Sequence, residues 1–208
     1  MLLLLGRIFT ILQPATIILL LLQTEVLILV RSGDSGFVIW LTGLPGSGKT
    51  TMATFLENEL RNRGFKVETL DGDEVRRNLS PDLGFSKIDR EVHAKRVSYV
   101  SLLLSRNGVI TIVALISPFQ SIRDYARNLI GRFVEVWVNC SVETCRKRDP
   151  KGLYKQAQEG KVSHFTGMQD PYEPPLSPEI IIDTEHESPD ACAKKIMASL
   201  RDLKYLDQ

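Results

Sequence analysis

Gly43-Leu44-Pro45-Gly46-Ser47-Gly48-Lys49-Thr50 fits the pattern G-x-x-x-x-G-K-[ST]. An apolar run at residues 37–41 precedes it and predicts a buried strand, and residues 51–60 after it predict a helix. Strand, glycine-rich loop and helix in this order are the context that a phosphate-binding P-loop requires. A chance match in a glycine-rich turn is the alternative, and both flanks argue against it.

The residue types of this loop suit a nucleoside triphosphate. Glycines let backbone N–H groups curl around phosphates without clashes from Cβ atoms, and the helix N-terminus that follows adds partial positive charge. Lys49 can reach the β- and γ-phosphates, and the Thr50 hydroxyl can hold Mg²⁺. We therefore expect a nucleotide site that uses Mg²⁺.

The composition describes an ordinary globular domain with a short appendage. The chain has 208 residues and a formal net charge of +1, which argues against a nucleic-acid binder held by phosphate electrostatics. Cys140, Cys145 and Cys192 form no C-x-x-C pair and show no metal-ligand spacing. Such a sparse, odd set fits reduced thiols in a cytoplasmic protein, and we interpret each cysteine as a small core residue.

Residues 1–35 differ in composition from the rest of the chain. Residues 8–24 are mostly apolar and carry no charge, which is the short limit for a membrane span, and no small-residue cleavage site of a signal peptide follows. We favour an interface helix used in assembly, or a chain start upstream of the natural one, over membrane contact by residues 1–30. Residues 31–36 predict a polar linker, so residues 1–35 form an extension of unclear role before a domain at residues 36–208.

From residue 37 onward, predicted strands alternate with predicted helices, which indicates an α/β fold. In the first helix we expect Phe55, Leu56 and Leu60 to face inward. The segment at residues 149–178 is rich in glycine and proline and predicts a mobile lid. We expect a three-layer P-loop NTPase fold with a mainly parallel five-stranded sheet. The predicted strands are residues 37–41, 66–70, 109–115, 133–138 and 180–183, and the predicted helices are residues 51–60, 88–106, 119–130, 142–147 and 190–203.

Two carboxylates, Asp71 and Asp73, follow the second predicted strand. Ligands of such sheets bind beyond the carboxyl ends of the strands, so this pair lies beside the phosphate site. One carboxylate could orient Mg²⁺ through water, and the other could accept a proton from a substrate hydroxyl. The alternative is a structural role in which Asp73 caps the next helix.

Basic and aromatic side chains supply further candidates. Arg76, Arg77 and Arg90 could bind an anionic substrate, although a solvated helix face explains any one of them equally well. Phe85 and Phe165 could stack on a nucleobase, or they could pack locally. The lid could close over phosphates with its basic residues, or these residues could simply be solvated: Arg146, Lys147, Arg148, Lys151 and Lys155.

Several motifs in order resemble one family, adenylylsulfate kinase (APS kinase), over residues 36–203. The motifs are residues 43–51, 70–73, 83–86, 89–90, 116–119, 148–155, 165–167 and 172–175. The P-loop alone is typical of any NTPase, whereas Asp149-Pro150-Lys151-Gly152-Leu153-Tyr154-Lys155 together with Phe165-Thr166-Gly167 is far more specific. The resemblance implies phosphorylation of the 3′-hydroxyl of adenosine 5′-phosphosulfate (APS) by ATP with Mg²⁺, giving PAPS in sulfate assimilation. It also implies a homodimer and a sulfate adenylyltransferase as a candidate partner.

The same resemblance implies a role for each matching residue. Lys49, Asp73, Ser117 and Lys155 would be catalytic, with Asp73 as the base and Ser117 as the residue that family descriptions mark as a phosphorylated intermediate. ATP would be bound by Gly43, Leu44, Pro45, Gly46, Ser47, Gly48, Lys49, Thr50, Thr51, Arg146, Arg148 and Thr184. APS would be bound by Asp73, Arg76, Phe85, Arg90, His93, Ile116, Ser117, Lys151, Leu153 and Phe165. Thr50 would be the metal ligand.

One segment departs from the family pattern. After Asp89-Arg90 the family usually carries an asparagine followed by two arginines, whereas this chain has His93, Lys95 and Arg96. A neutral histidine can still donate one hydrogen bond, and it could make substrate affinity sensitive to pH. Lys95 keeps the positive charge but loses the bidentate fork of arginine.

Two other functions remain open at this point. Another P-loop kinase for a sugar acid or nucleoside would share the loop, but the arginines and the paired loop phenylalanines argue against it. A non-catalytic nucleotide-binding module would regulate a partner, but the intact Lys49, Thr50 and Asp73 argue against that function.

Overall fold

The computed structural model describes residues 36–206, which form a five-stranded sheet covered by helices on both faces. Every strand pairing is parallel, and the strand order is β2-β3-β1-β4-β5. The strands are β1 (Val38–Thr42), β2 (Val67–Asp71), β3 (Ile110–Ala114), β4 (Phe133–Asn139) and β5 (Ile180–Asp183). The α/β class and the parallel five-stranded sheet are thus confirmed.

Seven helices in the described part of the chain connect and cover the strands. They are α1 (Lys49–Asn62), α2 (Gly72–Leu79), α3 (Lys87–Ser105), α4 (Gln120–Ile130), α5 (Val142–Arg148), α6 (Leu153–Gln158) and α7 (Pro189–Asp202). Because successive side chains of a strand point to opposite faces, the fully buried strand β1 supplies both cores. Ile39 and Leu41 pack on the side of α1 and α7, while Val38 and Trp40 pack on the side of α3 and α4.

Three details differ from the sequence expectations, and the first is helix α2 (Gly72–Leu79), which is not among the predicted helices. Leu56 and Leu60 are fully buried as expected, but Phe55 is 41% exposed. Its position is one residue, or about 100° of helical rotation, away from the buried stripe, so the prediction that it faces inward is wrong. The segment at residues 149–178 contains a helix that the sequence does not predict, α6, whose Tyr154 and Ala157 are buried.

No helix within residues 36–206 is long and apolar enough to span a membrane. The predictions for residues 1–35 lie outside the described residues.

Candidate active site

A cleft of about 800 Å³ lies at the carboxyl ends of the strands. Its lining combines the loop after β1, the start of α2, the segment after β3 and the segment that joins α5 to α6. Parallel sheets bind ligands at this edge, because the loops and helix N-termini that follow the strands meet there. Residues from all the predicted motif blocks except 83–86, 165–167 and 172–175 line the cleft.

The loop after β1 has the geometry of an anion cradle. Gly48 forms the N-cap of α1 with φ of 99°, a left-handed conformation that glycine adopts without steric cost. A Cβ atom on Gly46 would lie 3.0 Å from the Cys145 carbonyl oxygen, so a larger residue would force the loop and α5 apart. The loop and the N-terminus of α1 therefore suit the phosphates of a nucleotide.

Lys49 lies at the floor of this loop and is only 9% exposed. Its Nζ donates hydrogen bonds to the carbonyl oxygens of Gly43 at 2.9 Å and Leu44 at 2.7 Å. Burial lowers the pKa of Lys49 to about 8, against the opposing effects of nearby groups that include Asp71. An anionic phosphate would replace these carbonyl contacts and favour the charged amine.

Asp71, rather than Asp73, caps helix α2. The Asp71 Oδ1 atom accepts a hydrogen bond from the Asp73 backbone N–H at 3.0 Å, and its Oδ2 accepts one from the Thr50 hydroxyl at 2.9 Å. The alternative in which Asp73 caps the helix is therefore wrong. The Asp73 carboxylate is free of that role and forms an exposed ion pair with Lys151 across the cleft.

The oxygen atoms around Thr50 fit a magnesium ion. Mg²⁺ prefers hard oxygen ligands, and it usually takes only one or two from the protein while waters and phosphates supply the others. Thr50 and Asp71 offer a hydroxyl and a carboxylate that already touch each other. Within residues 36–206 no group of three or more His, Cys, Asp or Glu side chains could hold a metal without a nucleotide.

The opposite part of the cleft carries positive charge. Arg76 donates to the Gly84 carbonyl oxygen at 2.7 Å, and Arg90 donates to the carbonyl oxygens of Phe85 at 2.9 Å and His164 at 2.7 Å. The Phe85 ring lies against both guanidinium groups, at 4.6 Å and 5.5 Å. Burial lowers the pKa of each arginine, but a guanidinium stays charged at any ordinary pH.

His93 is 4% exposed and lines the cleft between these arginines. Its Nδ1 lies 2.9 Å from the Ser80 hydroxyl, while its buried Nε2 has no hydrogen-bond partner within the described residues. Burial, and then the charge of Arg76, lower the pKa of His93 to about 4. The imidazole is therefore neutral at pH 7 and can offer one nitrogen to a ligand.

The segment after β3 is anchored from below. Ser117 has a positive φ of 45°, its hydroxyl oxygen accepts from the Trp40 indole N–H at 3.0 Å, and its carbonyl oxygen accepts from Arg123 at 2.6 Å. Ile116 and Ser117 line the cleft as expected. Sequence reasoning missed Trp40 and Arg123; the one available signal was a charged residue on the apolar face of α4, next to Ile122 and in register with Ala126 and Ile130.

The segment from α5 through α6 closes the cleft on the remaining side. Arg148 donates to the Thr184 hydroxyl at 3.3 Å and to its carbonyl oxygen, and Lys151 pairs with Asp73. The Tyr154 hydroxyl donates to the Pro45 carbonyl oxygen at 3.1 Å, which joins this segment to the phosphate loop. The expected contacts Arg148, Lys151, Leu153 and Thr184 are thus brought together at one cleft.

Seven expected site residues do not line the cleft formed by the described residues: Gly43, Leu44, Ser47, Phe85, Arg146, Lys155 and Phe165. Arg146 and Lys155 are exposed. Phe85 is half exposed beside the cleft, and Phe165 is 5% exposed with its ring packed edge-on against Tyr154 at 4.8 Å. The proposed pairing of Phe85 and Phe165 around a base therefore needs the Phe165 ring to leave this packing.

A comparison with known protein families gives a direct match. The family model described as Adenylylsulphate kinase matches residues 35–183. This chain belongs to the adenylylsulphate kinase family. The match covers every lining segment of the cleft up to the end of β5.

Individual relatives in the adenylylsulphate kinase family support the assignment over nearly their full lengths. An adenylyl-sulfate kinase from Rippkaea orientalis is 52% identical over 83% of this chain and 96% of its own length. A probable adenylyl-sulfate kinase from Pyrococcus abyssi is 51% identical over 82% of this chain and 98% of its own length.

Solved structures of the adenylylsulphate kinase family agree with the fold. The Mycobacterium tuberculosis APS kinase in complex with AMPPNP and APS has a TM-score of 0.79 and 37% identity, and the match covers 81% of this chain and 99% of that one.

A more distant kinase shares the fold alone. It is a shikimate kinase from Acinetobacter baumannii, with 19% identity and a TM-score of 0.55 over 85% of this chain and 99% of that one.

Proposed function

We propose that this protein is an ATP-dependent kinase that transfers the γ-phosphoryl group of ATP to the 3′-hydroxyl of APS, giving PAPS and ADP. The charge of the cleft carries the proposal, because its lining brings together a phosphate loop, the guanidinium groups of Arg76 and Arg90, and the Asp73 carboxylate. The M. tuberculosis APS kinase, which was solved with AMPPNP and APS, supports the same pair of ligands here.

The residues of the chain divide the reaction between them. The phosphate loop and Lys49 hold the β- and γ-phosphates, and Arg76 and Arg90 hold the anionic end of APS. Asp73 accepts the proton of the attacking 3′-hydroxyl, and Lys151 moves from Asp73 to the transferred phosphoryl group. Thr50 and Asp71 would hold Mg²⁺, which would neutralise part of the phosphate charge. Direct transfer of this kind needs no covalent enzyme intermediate.

Two features of the site bear on the proposed role of Ser117. Its hydroxyl oxygen is occupied as the acceptor of the Trp40 N–H, and no carboxylate or histidine of the described residues is bonded to the hydroxyl as a base. We infer that Ser117 contributes its backbone, and its anchoring contact with Trp40, rather than a phosphorylated intermediate.

The deciding experiment compares two neighbouring carboxylates of α2. Asp73→Asn should lower kcat by about a hundredfold or more, since it removes the base, while the affinity for ATP changes little. Glu74→Gln is the matched control, because Glu74 is exposed on the same helix and lies outside the cleft. APS-dependent formation of PAPS and ADP is measured, with APS omitted as a blank. An absence of APS-dependent product from the wild-type protein would reject the function.

The wider context is also a proposal. A relative from Sorangium cellulosum, a probable bifunctional SAT/APS kinase, is 50% identical over 83% of this chain but only 30% of its own length. A hexameric APS kinase from Thiobacillus denitrificans is 33% identical over 84% of this chain and 30% of that one. These relatives support an oligomer and an association with sulfate adenylyltransferase; we propose a homodimer in the cytoplasm, where ATP is available. Residues 36–208 would form the kinase domain and residues 1–35 an extension.

A further inference from the structure

We propose that Arg123 of α4, with Glu135 of β4 as its partner, is a positioning residue that fixes the segment at residues 116–118 for the phosphoryl acceptor. This inference rests on the proposed function, since the acceptor is taken to be APS. Arg123 does not line the cleft and is fully buried, so it acts through the segment rather than on the substrate.

The segment needs such an anchor because its central residue is strained. Ser117 has a φ of 45°, in the left-handed region that a non-glycine residue rarely occupies, and such residues persist only where surrounding contacts hold them. Trp40 and Arg123 hold it from below through the serine hydroxyl and carbonyl oxygens. Thr42 holds the preceding Ile116 carbonyl oxygen at 2.8 Å.

Arg123 also joins this segment to the far end of the lid. One guanidinium nitrogen donates to Ser117, and the other donates to the Glu173 carbonyl oxygen at 2.8 Å and to the Gln120 side chain at 2.7 Å. Glu173 returns two contacts: its N–H donates to the Pro118 carbonyl oxygen at 2.8 Å, and its carboxylate accepts from the Gln120 N–H at 2.7 Å. One buried guanidinium therefore sets the distance between the two chain segments.

Glu135 makes the burial of this charge tolerable. The Glu135 carboxylate lies 2.8 Å from Arg123 Nε and 3.0 Å from the Arg127 guanidinium, and Glu135 is only 2% exposed. A buried ion pair is weak evidence for stability, because well-packed apolar residues of similar volume often stabilise a fold as well or better. The hydrogen bonds to Ser117 and Glu173 are what an apolar pair could not supply.

Although Glu135 lies on β4, Arg123 lies on α4, which follows β3, and it acts on the acceptor side of the cleft through residues 116–118. Strands β2 and β3 form one half of the sheet and lead to Asp73, Arg76 and the 116–118 segment. Strands β4 and β5 form the other half and lead to Arg148 and Thr184, beside the phosphate loop. Loss of the hydrogen bonds that Arg123 donates to Ser117 and Glu173 should therefore weaken APS binding and leave ATP binding intact.

The test separates positioning from stability with a double substitution. Arg123→Met/Glu135→Met removes both buried charges at similar volume, and Arg127 then keeps its partner Glu179. We expect a modest fall in Tm, because the Ser117 and Glu173 carbonyl oxygens lose a donor. KM for APS should rise about tenfold from release of the strained segment, and the ATP Kd, measured without APS, should stay within about twofold of wild type. Arg127→Met is the matched control, because Arg127 lies one turn further along α4, also contacts Glu135, and makes no bond to residues 116–118.

A milder variant covers the case in which the double variant does not fold. Arg123→Lys keeps a charge beside Glu135 but cannot donate to Ser117, Glu173 and Gln120 together, so KM for APS should rise with Tm almost unchanged. The inference would be overturned if the folded double variant had a KM for APS within about twofold of wild type. If the double variant is unfolded, the same result for Arg123→Lys would overturn it. So would an equal rise in KM for Arg127→Met. Failure of the wild-type protein to use APS would instead reject the proposed function.

Discussion

The buried amine of Lys49 makes ATP binding depend on pH. With its pKa lowered to about 8, the amine loses its proton as the pH rises through that value, and the charge that attracts the phosphates is lost. ATP affinity should therefore be steady below pH 8 and fall by up to about tenfold for each pH unit above it. Isothermal titration of ATP with Mg²⁺ between pH 7 and pH 9.5, without APS, measures this effect.

Lys49→Arg provides the control for that titration. A guanidinium keeps its proton throughout this range, so whatever binding the variant retains should be independent of pH. Burial raises the pKa of the neighbouring Cys145 thiol, so this group stays neutral and does not add a second titration. Equal pH profiles for the two proteins would contradict the assignment to Lys49.

The unpartnered Nε2 of His93 should bind the substrate as a neutral hydrogen-bonding group. His93→Ala removes that group and should raise KM for APS by about tenfold to a hundredfold, because hydrogen bonds to charged partners contribute about 1.5–3 kcal/mol. His93→Asn places a neutral amide at the same position and should restore most of the affinity. Initial rates at varied APS and saturating ATP measure both changes.

Substrate affinity should not vary with pH through His93 in the physiological range. Its pKa of about 4 lies below that range, because burial and the charge of Arg76 oppose its protonation. The pH sensitivity suggested by the sequence is therefore moved to acid conditions. A wild-type KM for APS that changes between pH 6 and pH 8, with no such change in His93→Asn, would contradict this account.

Helix α6 depends on one side chain outside it. The Asp149 carboxylate accepts hydrogen bonds from the N–H groups of Tyr154 and Lys155, both at 3.1 Å, at the first turn of the helix. Asp149→Ala should cost about 1 kcal/mol of local stability, as loss of a helix cap does. We expect faster hydrogen exchange at residues 150–160, lower kcat/KM for APS and more ATP hydrolysis without APS, since the lid would exclude water less well.

Asp149→Asn is the conservative comparison for this prediction. Asparagine keeps one acceptor oxygen and, like aspartate, tolerates the positive φ of 22° at this position. Its exchange rates should lie between those of the wild type and Asp149→Ala. If Asp149→Ala shows wild-type exchange at residues 150–160, the carboxylate does not hold the helix.

Sequence patterns predicted the elements whose hydrophobic period is regular. The apolar runs before Gly43 and after Gly108 became β1 and β3, because fully buried parallel strands need uninterrupted apolar side chains. The sequence does not predict helix α6, because it has only six residues and lies among glycines and prolines. Its stability depends on hydrogen bonds to Asp149 and on the packing of Tyr154. Neither contact has a periodic signal.

Site residues could be predicted where the backbone geometry requires a particular residue type. They could not be predicted where contacts between distant parts of the chain decide the role of a residue. Lys49 and Thr50 follow from the loop pattern. The separate duties of Asp71 and Asp73, which the pattern leaves as one pair, depend on which carboxylate meets Thr50 and which meets Lys151. Trp40 contacts Ser117 from β1, 77 residues away in the chain, and such a contact has no local signal. Arg123 shows only as a charged residue on the apolar face of α4, which does not tell that it bonds to Ser117.

Across the molecule, the division of the sheet gives the two substrates separate supports. The acceptor side rests on β2, β3 and α4, while the ATP side rests on β4, β5 and the loop after β1, and β1 lies between the halves. Substitutions among the cleft-lining residues of one half should therefore shift the affinity for one substrate more than for the other. The segment from α5 through α6 is the part that contacts both, through Arg148 at Thr184 and Lys151 at Asp73.

Residues 36–206 supply the phosphate loop, Asp73, the two arginines and the lid of the cleft, so we expect the domain to work without most of the extension. Phe37 is firmly packed near the start of the described residues: it is 1% exposed, its ring packs on Tyr205 at 4.9 Å, and its carbonyl oxygen accepts from the Thr111 N–H at 2.9 Å. A fragment of residues 33–208 keeps these contacts and the family match at residues 35–183. Its kcat and both KM values should lie within about twofold of the full chain.

The measurement sets the fragment and the full chain side by side at equal concentrations of ATP-binding sites, with APS-dependent PAPS as the readout. The match of the Rippkaea orientalis relative to 83% of this chain over 96% of its own length argues that the chemistry needs no counterpart of the extension. A fragment that binds ATP but makes several-fold less PAPS would assign residues 1–32 to the working enzyme. Light scattering of both proteins would then show whether the lost activity accompanies a lost oligomer, since an extension used in assembly should lower both together.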